Sequence, residues 1–246
     1  MEFKWIHNVK FQGGGQVDGQ GYMWWIREYI QRNPYGRPKL LMINHATNIE
    51  VVGIRWLNAA YYNLHIVDVV GLYCHDFEIQ TDYKGQLELG KLFLGPEGYT
   101  GLDGMTLPTF PLNTDGVDPA GKDILIERLN ITNYDDAVAV KPMDHKGNYT
   151  QCSENIIVRD CNIWFGVGMT IGSVPAHDTY NCVRNVTFIN HKFYHPFKAI
   201  YVKTNPGLTK SMLPGSGGEI TNITYENLEI YYPVWWSIYI GPQQQN

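Results

Sequence analysis

The sequence has no run of about eighteen apolar residues, so no helix that spans a membrane is expected. It carries little charge: 17% of its 246 residues are Asp, Glu, Lys or Arg, with a net charge of -5. No basic stripe is present to neutralise phosphates, so a nucleic-acid partner is not expected. An acidic substrate would have to be met by local cations, because the global field repels it. The four cysteines, Cys74, Cys152, Cys161 and Cys182, include no Cys-x-x-Cys pair, which removes the usual zinc pattern. Gly13-Gly14-Gly15 is followed by no Gly-Lys-Ser/Thr, and no Gly-x-Ser-x-Gly occurs. A phosphate loop and a serine-hydrolase elbow are therefore not expected. Helix caps and apolar stripes of period 3.6 are nearly absent. Met1-Glu2-Phe3-Lys4-Trp5 is not a basic stretch leading into an apolar one, so it does not read as a signal peptide.

What is present is a globular composition, 44% hydrophobic, and an imperfect internal repeat. Short β-branched runs recur in one template: Lys122 to Ile131 with Ala137 to Val140, Glu154 to Ile163 with Met169 to Ile171, Arg184 to Phe193 with Ala199 to Val202, and Thr221 to Ile230 with Ser237 to Ile240. An earlier copy runs from Ala46 to Ile54 and on to Ile66, and a partial one from Val70 to Ile79. The copies start at Asp123, Asn155, Asn185 and Asn222, spaced by 32, 30 and 37 residues. A unit this small cannot bury its own apolar face and must stack on its neighbours. Coils of short strands stacked about 4.8 Å apart form a parallel β-helix. A β-sandwich would need hairpin turns every 8–12 residues, and Asn-Gly and Asp-Gly do not recur in that way. The expected fold is thus all-β, a single parallel β-helix domain over residues 1–246.

Two stretches interrupt the pattern. Glu28 to Pro38 reads as a loop, and the glycine-rich Tyr83 to Pro108 reads as a long insertion of the kind that falls on a binding face. Both ends of the chain lie in strand-like runs without a capping helix, so terminal coils are expected to be missing. Cys152 and Cys161 are near enough in sequence for a small disulfide loop, with buried thiols as the alternative. Of the Asn-x-Ser/Thr sequons, Asn130, Asn185 and Asn222 sit in strand-like runs, where packing within the fold is expected. Asn148 reads as an exposed loop site.

Stacking makes neighbours of acids distant in sequence. Asp115, in Asn113-Thr114-Asp115-Gly116-Val117-Asp118, opens one rung, and Asp135 and Asp136 open the next. The equivalent position one rung on is Gly166-Val167-Gly168, expected to leave room for a ligand, and then Pro196-Phe197-Lys198. Two carboxyl groups, one to protonate the leaving oxygen and one to activate water or attack the sugar, are what glycosidic hydrolysis requires. Tyr201 and Lys203, two apart on a strand, share a face and place a cation near the acids. His191 and His195 lie on a strand and turn rather than a helix, which disfavours a metal pair. His45, His65 and His75 read as packing residues. Trp235 and Trp236 are expected to point to opposite sides, one in the core and one as a sugar platform.

On Asn113-Thr-Asp-Gly-Val-Asp118 and Asp135-Asp-Ala-Val-Ala-Val-Lys141, the chain resembles the polygalacturonases, glycoside hydrolase family 28. Gly13 to Gly21 with Trp24-Trp25, Arg37-Pro-Lys-Leu-Leu41 and Met169-Thr-Ile-Gly-Ser173 extend the resemblance from about Val9 to Ile240. It implies a right-handed β-helix, no metal or cofactor, and hydrolysis of a pectin-type polysaccharide with inversion. It implies Asp135 as general acid, Asp115 and Asp136 as the pair that activates water, and Asn113 in the cleft. Lys203 would hold a galacturonate carboxylate, and Tyr232 would be a cleft tyrosine. A secreted, monomeric protein acting on the cell wall, with no membrane partner, follows from the substrate class. Two positions depart: Gly166-Val167-Gly168 lacks the histidine of the family's Gly-His-Gly, and Tyr201-Val202-Lys203 lacks the arginine of its Arg-Ile-Lys. The departures leave rhamnogalacturonan, substituted pectin and neutral glycan open as substrates. They also leave open a catalytically weak glycan-binding protein or a calcium-dependent lyase.

Overall fold

The structure is a computed structural model that describes residues 1–30, 36–82, 111–143, 152–175, 180–205 and 217–242. The long insertion expected over 83–108 and the sequon at Asn148 lie outside the described residues. Strands β1 (Glu2–Lys4), β2 (His7–Gln12) and β3 (Gln16–Asp18) form the first coil. β4 (Leu41–Val52) and β5 (Arg55–Leu57) form the second, and β6 (Leu64–Gln80) the third. β7 (Val117–Val140) runs through the fourth coil into the next, and β8 (Ser153–Arg159), β9 (Asn162–Pro175), β10 (Tyr180–Phe193), β11 (Pro196–Asn205), β12 (Gly217–Ile230) and β13 (Trp236–Pro242) carry the winding on. The strand pairings among the described residues are parallel, each coil on the one before it. This is a parallel β-helix.

Register turns the apolar positions into columns through the interior. One runs Phe11, Val51, Cys74, Ile126, Val158, Phe188, Tyr225. Val51, Cys74, Ile126, Val158 and Phe188 are fully buried. A fully buried aliphatic or aromatic side chain of this size stabilises the fold by about 1.5–3 kcal/mol. Cys74 is thus a core residue, and burial lifts its thiol above the ordinary range.

The repeat starts mark corners. Asn8, Asn48, Gly71, Asp123, Asn155, Asn185 and Asn222 all have positive φ, between 53° and 76°. Asparagine, aspartate and glycine tolerate this left-handed conformation best. The amides then form a ladder: Asn155 donates to Asp123 (3.0 Å), Asn185 to Asn155 (2.8 Å) and Asn222 to Asn185 (3.0 Å). Asn130 likewise accepts from Asn162 at 3.2 Å. The three sequon asparagines in strand-like runs are therefore bonded within the fold.

Three expectations need correction here. Cys152 pairs with Cys182, not Cys161, across a Cα–Cα distance of 4.6 Å. One coil separates those two cysteines, and Ser153 is in register with Val183. Nine residues instead carry Cys161 to the far end of β8, where it is a buried free thiol pushed up to about 12 by burial. Glu28 does not begin a loop; it lies in helix α1 (Tyr22–Ile30). That helix is anchored by buried Trp25, whose indole donates to the Ala59 carbonyl at 3.1 Å. Trp235 and Trp236 are both exposed, at 59% and 47%, rather than one in and one out. No helix among the described residues is long and apolar enough to cross a membrane.

Opening the Cys152–Cys182 bridge frees a loop of about thirty residues, which should cost about 3–4 kcal/mol by loop entropy. Urea unfolding of Cys182→Ser should show that loss as a lower midpoint. An unchanged midpoint would mean that the bridge adds nothing to stability.

Candidate active site

The site lies where the chain enters β7 and where β7 passes into the following coil. The loop before β7 is pinned from beneath. Arg37, its side chain almost wholly buried, donates to the Leu112 carbonyl at 2.6 Å and to Asn113 Oδ1 at 2.8 Å. Its guanidinium also lies 4.8 Å over the Tyr61 ring. Two fully buried asparagines hold the backbone of the acidic segments. Asn63 donates to the carbonyls of Thr114 and Asp115, and Asn133 to those of Thr114 and Asp136. Thr114 Oγ1 accepts the Tyr134 amide at 3.0 Å. These bonds tie the two acidic segments, twenty residues apart, into one frame.

In that frame the carboxylates of Asp115, Asp135 and Asp136 meet, each offering an oxygen within 4.8 Å of the others. Asp115 and Asp136 are buried, at 3% and 1% exposure. Asp135 accepts the Asn113 amide at 3.1 Å and the Asp136 amide at 2.9 Å. Asp136 accepts the Thr170 hydroxyl at 2.6 Å and pairs with Lys203.

The three acids do not share one proton affinity. Burial, reinforced by the Asp136 charge, raises Asp135, and its two amide donors only partly offset this. Burial, with Asp118 and Asp135, holds Asp115 well above the carboxylate range. Burial works upward on Asp136 too, but the charges of Lys203 and Lys141 and the bonds from Lys203 and Thr170 outweigh it, so it lies below the ordinary range. One acid is therefore shifted below the ordinary carboxylate range beside two shifted above it. Oxygens this close are also a donor set that a divalent cation would accept, although Lys203 already supplies positive charge there.

Of the substrate-binding residues expected from sequence, Asn113 and Lys203 are joined to the acids directly. Tyr201 is buried, with the Lys203 ammonium 4.9 Å over its ring. Tyr232 sits at the corner between β12 and β13, 77% exposed, its ring stacked 5.7 Å from His195. Among the described residues no hydrogen bond, ion pair or ring contact links it to the acids. The room expected beside the acids does not come from the glycines. A Cβ on Gly166 would lie 2.1 Å from Asn133 Oδ1, and one on Gly168 2.2 Å from the Ala199 carbonyl oxygen. Both glycines serve close packing of adjacent rungs.

Sequence reasoning missed Asp118, Lys141, Thr170 and Lys198. Asp118 is buried 3.4 Å from the Lys141 ammonium, and burial pushes its carboxyl up to about 6 against that charge. His65 lies 4.0 Å from Asp118 and is driven down to about 3 by burial and by Lys39 and Lys141. The signal was register: Thr170 pairs with Ala139, and the Lys141 amide bonds to the Pro119 carbonyl, placing Lys141 beside the Asp118 end of the coil. His191, fully buried, bonds to the Cys161 amide and the Val158 carbonyl, a structural role.

Residues 1–240 match the model of the family described as Glycosyl hydrolases family 28. A polygalacturonase of Juniperus ashei is 26% identical over 94% of this chain and 38% of its own length. A putative galacturan 1,4-alpha-galacturonidase A of Aspergillus niger is 25% identical over 91% of this chain and 49% of its own. The chain thus spans about two-fifths to a half of the length of these curated relatives. Among solved structures, a polygalacturonase from Erwinia carotovora ssp. carotovora superposes with a TM-score of 0.70 at 22% identity, over 99% of this chain and 58% of that one. An endo-xylogalacturonan hydrolase from Aspergillus tubingensis superposes at 0.62 and 19% identity, over 92% and 53%. At these identities the superpositions speak for the fold alone.

Proposed function

This chain belongs to glycosyl hydrolases family 28, and on that premise we propose that it hydrolyses glycosidic bonds in a pectin-type polysaccharide by single displacement with inversion. The observation that carries the reading is the meeting of three carboxyls within 4.8 Å, one shifted below the ordinary carboxylate range and two above it. Asp135 is the general acid that protonates the leaving oxygen. Asp136 is the base that takes a proton from water. Asp115 completes the pair that positions this water, its carboxyl held above the ordinary range by burial and by Asp118 and Asp135. Such divergence of pKa values assigns acid and base in carboxylate sites generally. The names of the relatives, polygalacturonase and galacturan 1,4-alpha-galacturonidase, support an α-linked galacturonan as the substrate class. A secreted location follows from that substrate and remains part of the proposal.

The spacing of the acids does not by itself select inversion. Inverting glycosidases usually separate their two carboxyls by about 6.5–9.5 Å and retaining ones by about 5–5.5 Å. Inversion here is proposed from family membership. Proton NMR of the first product should therefore show the anomer opposite to that of the scissile bond. A first product with the configuration retained would sink the single-displacement reading. A reducing-sugar assay over a pectin panel tests the activity itself, with equal rates expected with and without chelator. An unsaturated product absorbing in the ultraviolet, lost on chelation, would point to a lyase instead.

A further inference from the structure

Arg37 stands on the segment that leads into β4, and its side chain is only 6% exposed. Its Nη1 donates to the Ala60 carbonyl at 3.3 Å and to the Leu112 carbonyl at 2.6 Å, and its Nη2 to Asn113 Oδ1 at 2.8 Å. Its Nε lies 3.9 Å from Glu28 of α1. One planar fork therefore fastens the turn before β6 to the loop before β7, with α1 alongside.

A guanidinium only donates, so the atom of Asn113 that meets it is the oxygen. The side-chain nitrogen of Asn113 is then turned the other way, toward Asp135 Oδ2 at 3.5 Å. The backbone amide of Asn113 reaches the same oxygen at 3.1 Å. Asn113 holds this pose at a φ of 60°, a left-handed conformation that asparagine tolerates.

We propose that Arg37 is a positioning residue for the general acid: by fixing Asn113 it aims both donors of that residue at one oxygen of Asp135 and sets how the carboxyl presents its proton. The inference rests on the proposed function and adds to it a residue outside the cluster of acids.

The sign of the effect follows from what faces Asp135. Asp115, Asp118, Asp136 and Lys141 act on it from β7 and its entry, and Lys198 and Lys203 from β11. Lys198 lies among rings, its ammonium 4.4 Å from the Tyr201 centroid and 5.5 Å from those of Trp235 and Tyr239. Replacing Arg37 leaves all of these residues in the chain. Donors to a carboxylate favour its ionised form, and so does the guanidinium charge. Losing Arg37 therefore moves the titration of Asp135 upward. A general loosening would move it downward, because burial is what raises Asp135 and admitted water relieves it.

The test is carbon-13 NMR titration of aspartate-labelled protein, with the Asp135 signal identified by its loss in Asp135→Asn. The kcat on pectin is followed over the same pH range. Arg37→Met should raise the Asp135 midpoint by about one pH unit, the worth of a bond to a charged acceptor. The alkaline limb of kcat should move up with it, and the plateau should fall about 10–100-fold. Arg37→Lys keeps the charge without the fork, and should shift the midpoint in the same direction by less. A midpoint unmoved or lowered in Arg37→Met overturns the proposal. Should that variant fail to fold, the same result in Arg37→Lys overturns it. Hydrolysis by the native protein with an unmoved midpoint in the variants sinks this inference alone. A raised midpoint in a protein that hydrolyses no pectin upholds the grip of Arg37 on Asp135 and sinks the hydrolase reading.

Discussion

Asp135→Asn should lower kcat on the hydrolysed polymer by about 10²–10⁴-fold, the usual worth of a general acid, with KM nearly unchanged. The substitution preserves shape, but the amides of Asn113 and Asp136 bond to different oxygens of the carboxylate, so the single carbonyl oxygen of asparagine keeps one of the two bonds. Beyond that bond, what is lost is the proton. In the native site, burial and the charge of Asp136 keep that proton in place above the pH at which an exposed aspartate would release it. On the proposed mechanism, activity requires Asp135 protonated and Asp136 ionised. The rate should therefore rise as Asp136 ionises, below the ordinary aspartate range, and fall as Asp135 ionises, above it. The alkaline limb should vanish from the residual activity of the variant. Steady-state kinetics with a pH profile reads both effects. Full activity in Asp135→Asn would remove it as the acid and turn attention to Asp115, whose carboxyl is also shifted upward.

Asp136→Asn should be damaging twice. The base is lost, and kcat should again fall by about 10²–10⁴-fold. In addition, Lys203 would be left as a buried cation without its counter-charge. Both members of the pair are almost inaccessible, Asp136 at 1% and Lys203 at 7%. Removing one partner of a buried pair costs about 3–5 kcal/mol, because the remaining charge has lost both water and its counter-ion. The double variant Asp136→Asn/Lys203→Met should recover most of that stability and none of the activity. Denaturant unfolding of the single and double variants, set beside their kinetics, measures the two effects separately. If the single variant unfolds at the native midpoint, Lys203 is solvated and its pairing with Asp136 has no structural weight.

Much of this site was legible from residue spacing because a solenoid is nearly one-dimensional. Once the coil length is known, position in sequence converts to position in space. Asp115 could be placed beside Asp135 and Asp136, and Lys203 two rungs further on, from the repeat alone. The repeat starts Asp123, Asn155, Asn185 and Asn222 were equally visible, but that they turn corners at positive φ was not read from the sequence, which placed Asn185 and Asn222 in strand-like runs. The same logic, applied to cysteine, would have joined Cys152 to Cys182 rather than to Cys161, because one coil separates the true pair.

The order of polar and β-branched residues in this chain determined that it stacks into coils and which acids share a rung, because strand periodicity and coil length are local properties. Tertiary structure alone decided how the charges inside the site are balanced. Lys141 faces Asp118, Lys203 neutralises Asp136, Lys198 stands in a box of rings, and Gly166 and Gly168 close rungs together instead of opening space. Each of these depends on groups from different coils meeting at ångström range in a place from which water is largely removed. Burial and Coulomb interaction there act on distances that a linear repeat does not specify.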